Sequence, residues 1–307
     1  MDSFVEKCQG FVEYLQIEKN ASPYTIQYYQ DDLNAFHQFL QAEGIHHLKE
    51  VNQQVVRLFL TQLYDQKLSR RSVSRKISSL RSFYKFIERE DETYTNPFVH
   101  IHLPKAEHPV PGFLYKQELE KLFDVNDLTE SLGQRDQAIL EVLYGTGIRV
   151  SECQSLRLSD IDFTVGTLFV RGKGRKERYV PFGRFAEIAL ETYLNEGRAD
   201  LQEKAKDSTD IVFLNARGRP LTTRGIRLIL NKMVDKAALT VHVHPHKLRH
   251  TFATHMLNEG ADLRTVQELL GHESLSSTQI YTHITKDHLR DVYMKSHPRA
   301  NDFRENR

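Results

Sequence analysis

The sequence holds only two cysteines, Cys8 and Cys153, far apart along the chain. That is too few for a disulfide framework or a thiolate zinc site, so both are expected to be reduced, Cys153 as a small buried residue. No apolar run approaches the roughly 20 residues that span a bilayer, which excludes membrane-spanning helices and any membrane partner that would need them. The first residues, MDSFVEKCQGFVEY, mix charges of both signs and have no hydrophobic signal core, so a cytoplasmic protein is expected. An excess of charge is missing too: 42 Lys and Arg stand against 41 Asp and Glu, a net charge of +1. On that balance alone nothing announces a polyanionic partner.

The distribution of charge differs from its total. Between Gln66 and Arg89 the chain carries Lys67, Arg70, Arg71, Arg75, Lys76, Arg81, Lys85 and Arg89 against the single acid Glu88. Release of counterions condensed on DNA rewards such an imbalance. In the same segment Val73, Ile77, Leu80, Tyr84 and Ile87 recur at helical spacing, which predicts one long helix with an apolar face. Ser74, Ser78, Arg81 and Lys85 fall on a neighbouring face, where short hydroxyls admit a duplex backbone and the cations neutralise it. The DNA-contact candidates are Arg70, Arg71, Arg75, Lys76, Arg81 and Lys85; the plain alternative is a solvated helix surface.

A chain of 307 residues is long for one domain. The segment NPFVHIHLPKAEHPVPG has four prolines and no periodicity, which predicts a linker over 96–112 between a helical domain, 1–95, and a second domain, 113–307. In that second domain Ile139, Val142 and Leu143 predict a helix ending at Gly145-Thr146-Gly147, and Ser151 and Glu152 open the next. Residues 167–182 read as two short strands around a Gly-Lys-Gly turn. Pro245 starts another helix, Asn258-Glu259-Gly260 and Gly271 are stops, and Asp262 and Ser276 or Ser277 are caps. The fold class expected is mainly α with a small β-hairpin or sheet.

The segment HVHPHKLRHTFATH puts His246 and Arg249 on one helix face and Leu248, Phe252 and Met256 on another. His246 and His250 have the spacing of a helical metal pair, but no H-E-x-x-H form or Cys cluster supports one, and Arg249 would repel a dication. Arginine is the natural partner of a phosphate, because its planar fork gives parallel charge-assisted hydrogen bonds. Arg149, placed by the Gly-Thr-Gly turn, is a second such arginine. Glu152 either orients an arginine or lies on the surface. His242, His244, His250 and His255 read as structural.

The ordered motifs TGIRVSE, GKGRKER, HPHKLRHTFATH and LLGHESLSSTQIYTH resemble the tyrosine recombinase (phage integrase) family, and the match runs along the whole chain. The size, the basic helix and the short tail are similar to the Xer subgroup. The resemblance implies a helical DNA-binding domain and a mostly helical catalytic domain that clamp DNA. It also implies that Tyr281 attacks a phosphodiester while Arg149, Arg249 and His272 stabilise the developing charge. Lys173 would protonate the departing 5′-oxygen and His246 is a candidate base for Tyr281. The adduct stores the bond energy, so no cofactor, metal or ATP is expected.

As partners the resemblance implies a double-stranded recombination site, a related XerD-like recombinase in a heterotetramer, and a DNA translocase at the division site. The errand implied is resolution of chromosome dimers at cell division. A C-terminal tail with Leu289, Val292, Tyr293 and Met294 is expected to dock onto a neighbouring subunit. The alternatives are an integrase of a phage or mobile element, a catalytically inactive DNA-binding protein, and a metal-dependent hydrolase.

Overall fold

Helical periodicity of apolar side chains builds the first part of the chain into α1 (Phe4–Ile17), α2 (Pro23–Ala42), α3 (Gln53–Asp65) and α4 (Arg70–Glu90). Short polar residues start α2, α3 and α4: Ser22 accepts from Thr25 N, Asn52 from Gln54 N and Val55 N, and Ser69 from Ser72 N. Each bond satisfies a backbone donor that a helix N-terminus leaves free. The face predicted from Val73, Ile77, Leu80, Tyr84 and Ile87 is buried. It packs with Phe11, Phe36, Phe59 and Phe83 into an aromatic core.

The computed structural model describes residues 4–19, 21–101, 112–172, 176–241, 243–271 and 283–300, with side chains from 288 onward in the last stretch. The chain divides into two compact units, Met1–His108 and Pro109–Arg307. Residues 96–101, which loss of periodicity assigns to the linker, pack onto the first unit. Phe98 is fully buried in its core, and Arg81 donates from Nε to Phe98 O at 3.0 Å and from Nη2 to Ile101 O at 2.9 Å. One aromatic anchor and one arginine hold a stretch that has no regular structure of its own.

The second unit runs α5 (Lys116–Phe123), α6 (Ser131–Thr146), α7 (Val150–Gln154), β1 (Ile161–Asp162), β2 (Thr167–Arg171), β3 (Glu177–Pro181), α8 (Arg184–Thr192), α9 (Arg198–Gln202), α10 (Thr223–Lys236), α11 (Pro245–Asn258), α12 (Leu263–Leu270) and α13 (His283–Ser296). From Ala138 to Thr146 every residue of α6 is buried, so this helix is the axis on which the unit is assembled. It ends at Gly147, whose φ of 62° is the left-handed cap that glycine adopts without strain. The chain turns there directly into Arg149 and α7.

The strands form an antiparallel sheet in the order β1-β2-β3, with Val170 opposite Arg178 and Arg171 opposite Glu177. The β2–β3 pair is the expected hairpin. Strand β1 is not foreseen, because two residues carry no alternation to read. Leu168, Val170, Arg178 and Val180 occupy the buried positions of the pair.

The C-terminal segment departs from expectation. Leu289 and Tyr293 are buried within this chain's own cluster with Phe252, Met256, Val266 and Leu269, and Val292 and Met294 pack against it. Arg299 pairs with the buried Glu141 of α6 through Nε at 2.9 Å, and also through Nη2. The backbone N–H of Arg184 donates to Ala300 O at 2.9 Å. The apolar set read as a docking tail is therefore covered in cis; Leu289 and Tyr293 are spaced i, i+4 and fill one side of α11 and α12. Among the described residues no helix is long and apolar enough to cross a membrane.

Candidate active site

Three helix ends and one hairpin meet around two arginines. Arg249 lies in the second turn of α11, which Pro245 starts, and its side chain runs into the interior. There Nη1 donates to Gly147 O at 2.6 Å and Nη2 to Leu270 O at 2.5 Å. These carbonyls belong to the C-terminal ends of α6 and α12, where they lack helical partners and carry partial negative charge. Arg149 caps α7: its backbone N–H donates to Glu152 Oε2 at 2.7 Å, its Nη1 to Glu152 Oε1 at 3.0 Å, and its Nη2 to Gly271 O at 3.2 Å. Both guanidinium groups are thus anchored from behind by backbone. Among the described residues, Nε and the second hydrogen on each Nη remain uncommitted in both.

Glu152 is buried, which decides between its two readings. Besides Arg149 it accepts from Arg178, Nη1 to Oε1 at 2.9 Å and Nη2 to Oε2 at 3.0 Å. Burial pushes its carboxyl up, but the hydrogen bonds and charge of Arg178 and Arg149 outweigh that and hold it below the usual range. Burial, then the charge of Arg149, pull the Arg249 guanidinium down to about 10, with Arg178 adding to the repulsion and Glu152 opposing it. One carboxylate among three guanidinium groups leaves a positive surplus in a largely buried cluster. Such a place favours an anion.

Arg178 is the residue that sequence reading misses. Its signal is strand alternation: it stands at an inward position of β3 where an apolar side chain is expected. The hairpin that carries it closes with Gly172 N donating to Lys176 O at 2.7 Å, and a Cβ on Gly172 would come within 3.2 Å of Glu152 Oε1. The residue before Lys173 therefore lies against the arginine cluster. Likewise Gly271, the residue before His272, caps α12 in the left-handed region, φ 64°. Lys173, His272 and Tyr281 themselves lie outside the described residues, as do His242, Ser276 and Ser277.

His246 is exposed in the first turn of α11, its ring stacked on that of His244 with centroids 6.4 Å apart. His244 is the N-cap and accepts from Lys247 N through Nδ1. His255 bonds Tyr144 Oη at 2.9 Å, a structural role. Among the described residues no group of three His, Cys, Asp or Glu side chains is placed to hold a metal ion.

The phage integrase family model matches residues 112–288, and the phage integrase N-terminal SAM-like domain matches 8–91. The chain is 74% identical to "Tyrosine recombinase XerC" of Oceanobacillus iheyensis, covering 95% of each, and 58% identical to that of Bacillus subtilis, covering 94% of this chain and 95% of the other. The chain belongs to the phage integrase family. Among solved structures this integrase is similar to the XerH site-specific recombinase bound to a palindromic difH substrate, with 26% identity, a TM-score of 0.66, and coverage of 90% of this chain and 81% of that one.

In the first unit some basic candidates have internal partners and others do not among the described residues. Arg70, Arg71 and Lys85 are exposed on α4. Arg75 Nη1 and Lys76 Nζ instead reach the buried Asp32 of α2, at 2.5 and 3.1 Å, and Ser79 Oγ joins them at 2.8 Å. Arg81 is spent on the carbonyls of Phe98 and Ile101. The cations at 75, 76 and 81 have partners inside the domain, although the Arg75 side chain is still 41% exposed, and a helical-wheel reading cannot distinguish such a set from a free charged face.

Proposed function

We propose that this site-specific tyrosine recombinase binds a scissile DNA phosphate between Arg149 and Arg249, with Tyr281 as nucleophile. The observation that carries the reading is the convergence of the two guanidinium groups, each held from behind by helix-cap carbonyls and each with N–H groups to spare. A nonbridging phosphate oxygen met by such forks is stabilised more as negative charge grows in the pentacoordinate state. Attack by Tyr281 Oη forms the phosphotyrosyl bond and breaks the bond to the 5′-oxygen. Lys173 gives that oxygen its proton. A phenol with a pKa near 10 must lose a proton to attack, and His246 is the candidate to take it. His272 adds a hydrogen bond to the phosphate. The reverse attack by a 5′-hydroxyl of another strand reseals the DNA and frees Tyr281, so no energy source is consumed.

In the first unit Arg70, Arg71 and Lys85 are read as contacts to the DNA backbone. The identity with recombinases named XerC supports a role in resolving chromosome dimers. The same reading includes a related recombinase completing a tetramer and a DNA translocase at the division site. The test is a suicide DNA carrying candidate recombination sites. The unsubstituted chain is expected to give a covalent protein–DNA band whose linked peptide contains Tyr281, and Tyr281→Phe to bind the DNA without forming it. Linkage through another residue, or recombination by the Phe variant, would overturn the assignment.

A further inference from the structure

Arg178 has no assigned part in the chemistry, yet it touches everything that fixes Arg149. Its side chain is 8% exposed. Nη1 and Nη2 take both oxygens of Glu152, and Nε donates to Leu269 O at 3.1 Å. The Gly271 turn rests on its guanidinium plane: a Cβ there would lie 3.2 Å from Arg178 Cζ, Nε and Nη1. Gly271 O is the acceptor of Arg149 Nη2, and the neighbouring Leu270 O is an acceptor of Arg249.

Glu152 is saturated. Oε1 accepts from Nη1 of Arg149 and Nη1 of Arg178, while Oε2 accepts from the Arg149 backbone N–H and Nη2 of Arg178. A carboxylate offers about four acceptor sites, and all are taken. Were the two held by Arg178 vacated, the planar fork of Arg149, with its side chain 39% exposed, could rotate to take both oxygens. That rotation would break its bond to Gly271 O and turn N–H groups away from the phosphate.

Resting on the phosphate-binding reading above, we infer that Arg178 is a positioning residue for strand cleavage. It occupies the far side of Glu152 and supports the Gly271 turn, so Arg149 meets Glu152 through a single guanidinium nitrogen and keeps its other donors for the substrate. Arg178 itself touches no reacting atom. Its effect travels through Arg149.

The test compares single-turnover cleavage of suicide DNA bearing an ordinary phosphodiester with one bearing a methylphosphonate at the scissile position. The methylphosphonate lacks the charge that the arginines neutralise. Arg178→Met and Arg178→Lys should leave DNA affinity within about threefold and slow phosphodiester cleavage by about 10²-fold, the scale of losing one oriented donor. On the methylphosphonate that defect should shrink to under about tenfold, and adding Arg178→Lys to Arg149→Ala should cost less than about threefold more. Arg178→Lys keeps a cation beside Glu152 and decides the matter if Arg178→Met does not fold. Equal slowing on both substrates, a full multiplicative loss on top of Arg149→Ala, or undiminished cleavage by Arg178→Lys would each overturn the inference. Failure of the unsubstituted chain to cleave overturns the phosphate reading beneath it, and is told apart because no variant is involved.

Discussion

Arg249 Nη1 and the carbonyl of Gly147 meet at 2.6 Å although 102 residues separate them in sequence. The contact exists because α6 ends in a left-handed glycine whose carbonyl is free of the helix ladder. A Cβ on Gly147 would come within 2.5 Å of Phe252 Cδ1 and 3.0 Å of Leu270 Cδ2, at a φ of 62°. Gly147→Ala should therefore destabilise the protein by about 2–5 kcal/mol, combining the left-handed backbone cost with overpacking. Denaturant unfolding measures it, and a variant within about 0.5 kcal/mol of the parent, the ordinary scatter of surface changes, would show that the turn relaxes.

Lys173 tests leaving-group chemistry. Lys173→Ala is expected to slow cleavage by about 10²-fold or more on ordinary DNA and to recover most of that on a 5′-bridging phosphorothiolate, because a thiolate leaves without a proton. Arg249→Ala should show no comparable rescue, since its charge is needed whichever atom departs. Equal defects on both substrates would assign Lys173 to binding instead.

The exposed cations of α4 make a graded prediction. If Arg70, Arg71 and Lys85 each neutralise a phosphate, every alanine substitution lowers the slope of log affinity against log salt by about 0.9. Arg81→Ala, which removes two internal hydrogen bonds, should act mainly on thermal stability. An unchanged salt slope in the triple variant would remove α4 from the DNA contact.

The pair Arg299–Glu141 joins the end of the chain to its central helix. Glu141 is 2% exposed. Burial pushes its carboxyl up, and Arg299 only partly offsets this. Arg299→Met would strand that carboxylate, with an expected loss of about 3–5 kcal/mol at neutral pH. The loss should narrow as the pH falls and Glu141 takes a proton. Stability unchanged at every pH would mean that the tail is not held by this pair.

His297 supplies a pH dependence of opposite sense. It is buried beside Tyr144, Phe252 and Tyr293, and burial, then the charges of His255 and Arg299, pull it down to about 3. Above the ordinary histidine range neither folded nor unfolded chain carries this proton, so the group is silent. Below about 6.5 the unfolded chain binds it and the folded chain does not, so stability should fall by up to about 1.4 kcal/mol per pH unit toward 3. His297→Phe should flatten that slope. A parent and variant with parallel pH–stability curves would refute the assignment.

The fold is legible in the sequence where periodicity is long. The apolar stripe of α4, the Pro245 start of α11, the Asp262 cap and the glycine ends of α6 and α12 follow from local rules that tertiary contacts do not disturb. Features set by distant partners are not legible in the same way. Asp32 claims Arg75 and Lys76 from 43 and 44 residues away, and nothing in the basic run announces it. Phe98 enters a core whose other members precede it, so a stretch with prolines reads as a linker. Arg178 is legible in principle, since an arginine at an inward strand position needs a buried acid and Glu152 is a candidate for it.

The carbonyl oxygens of Gly147, Leu270 and Gly271 are the backbone acceptors behind the two central arginines. Carbonyl oxygens are common to all twenty residue types, so no single codon change can delete one. The clamp can lose a donor, or the Glu152 carboxylate behind Arg149, by mutation, but it loses a backbone acceptor only when a helix end moves. Variation in this molecule should thus harm the site in two distinct ways: abruptly at Arg149, Arg249 and Glu152, and by degrees through any residue that shifts where α6 or α12 stops.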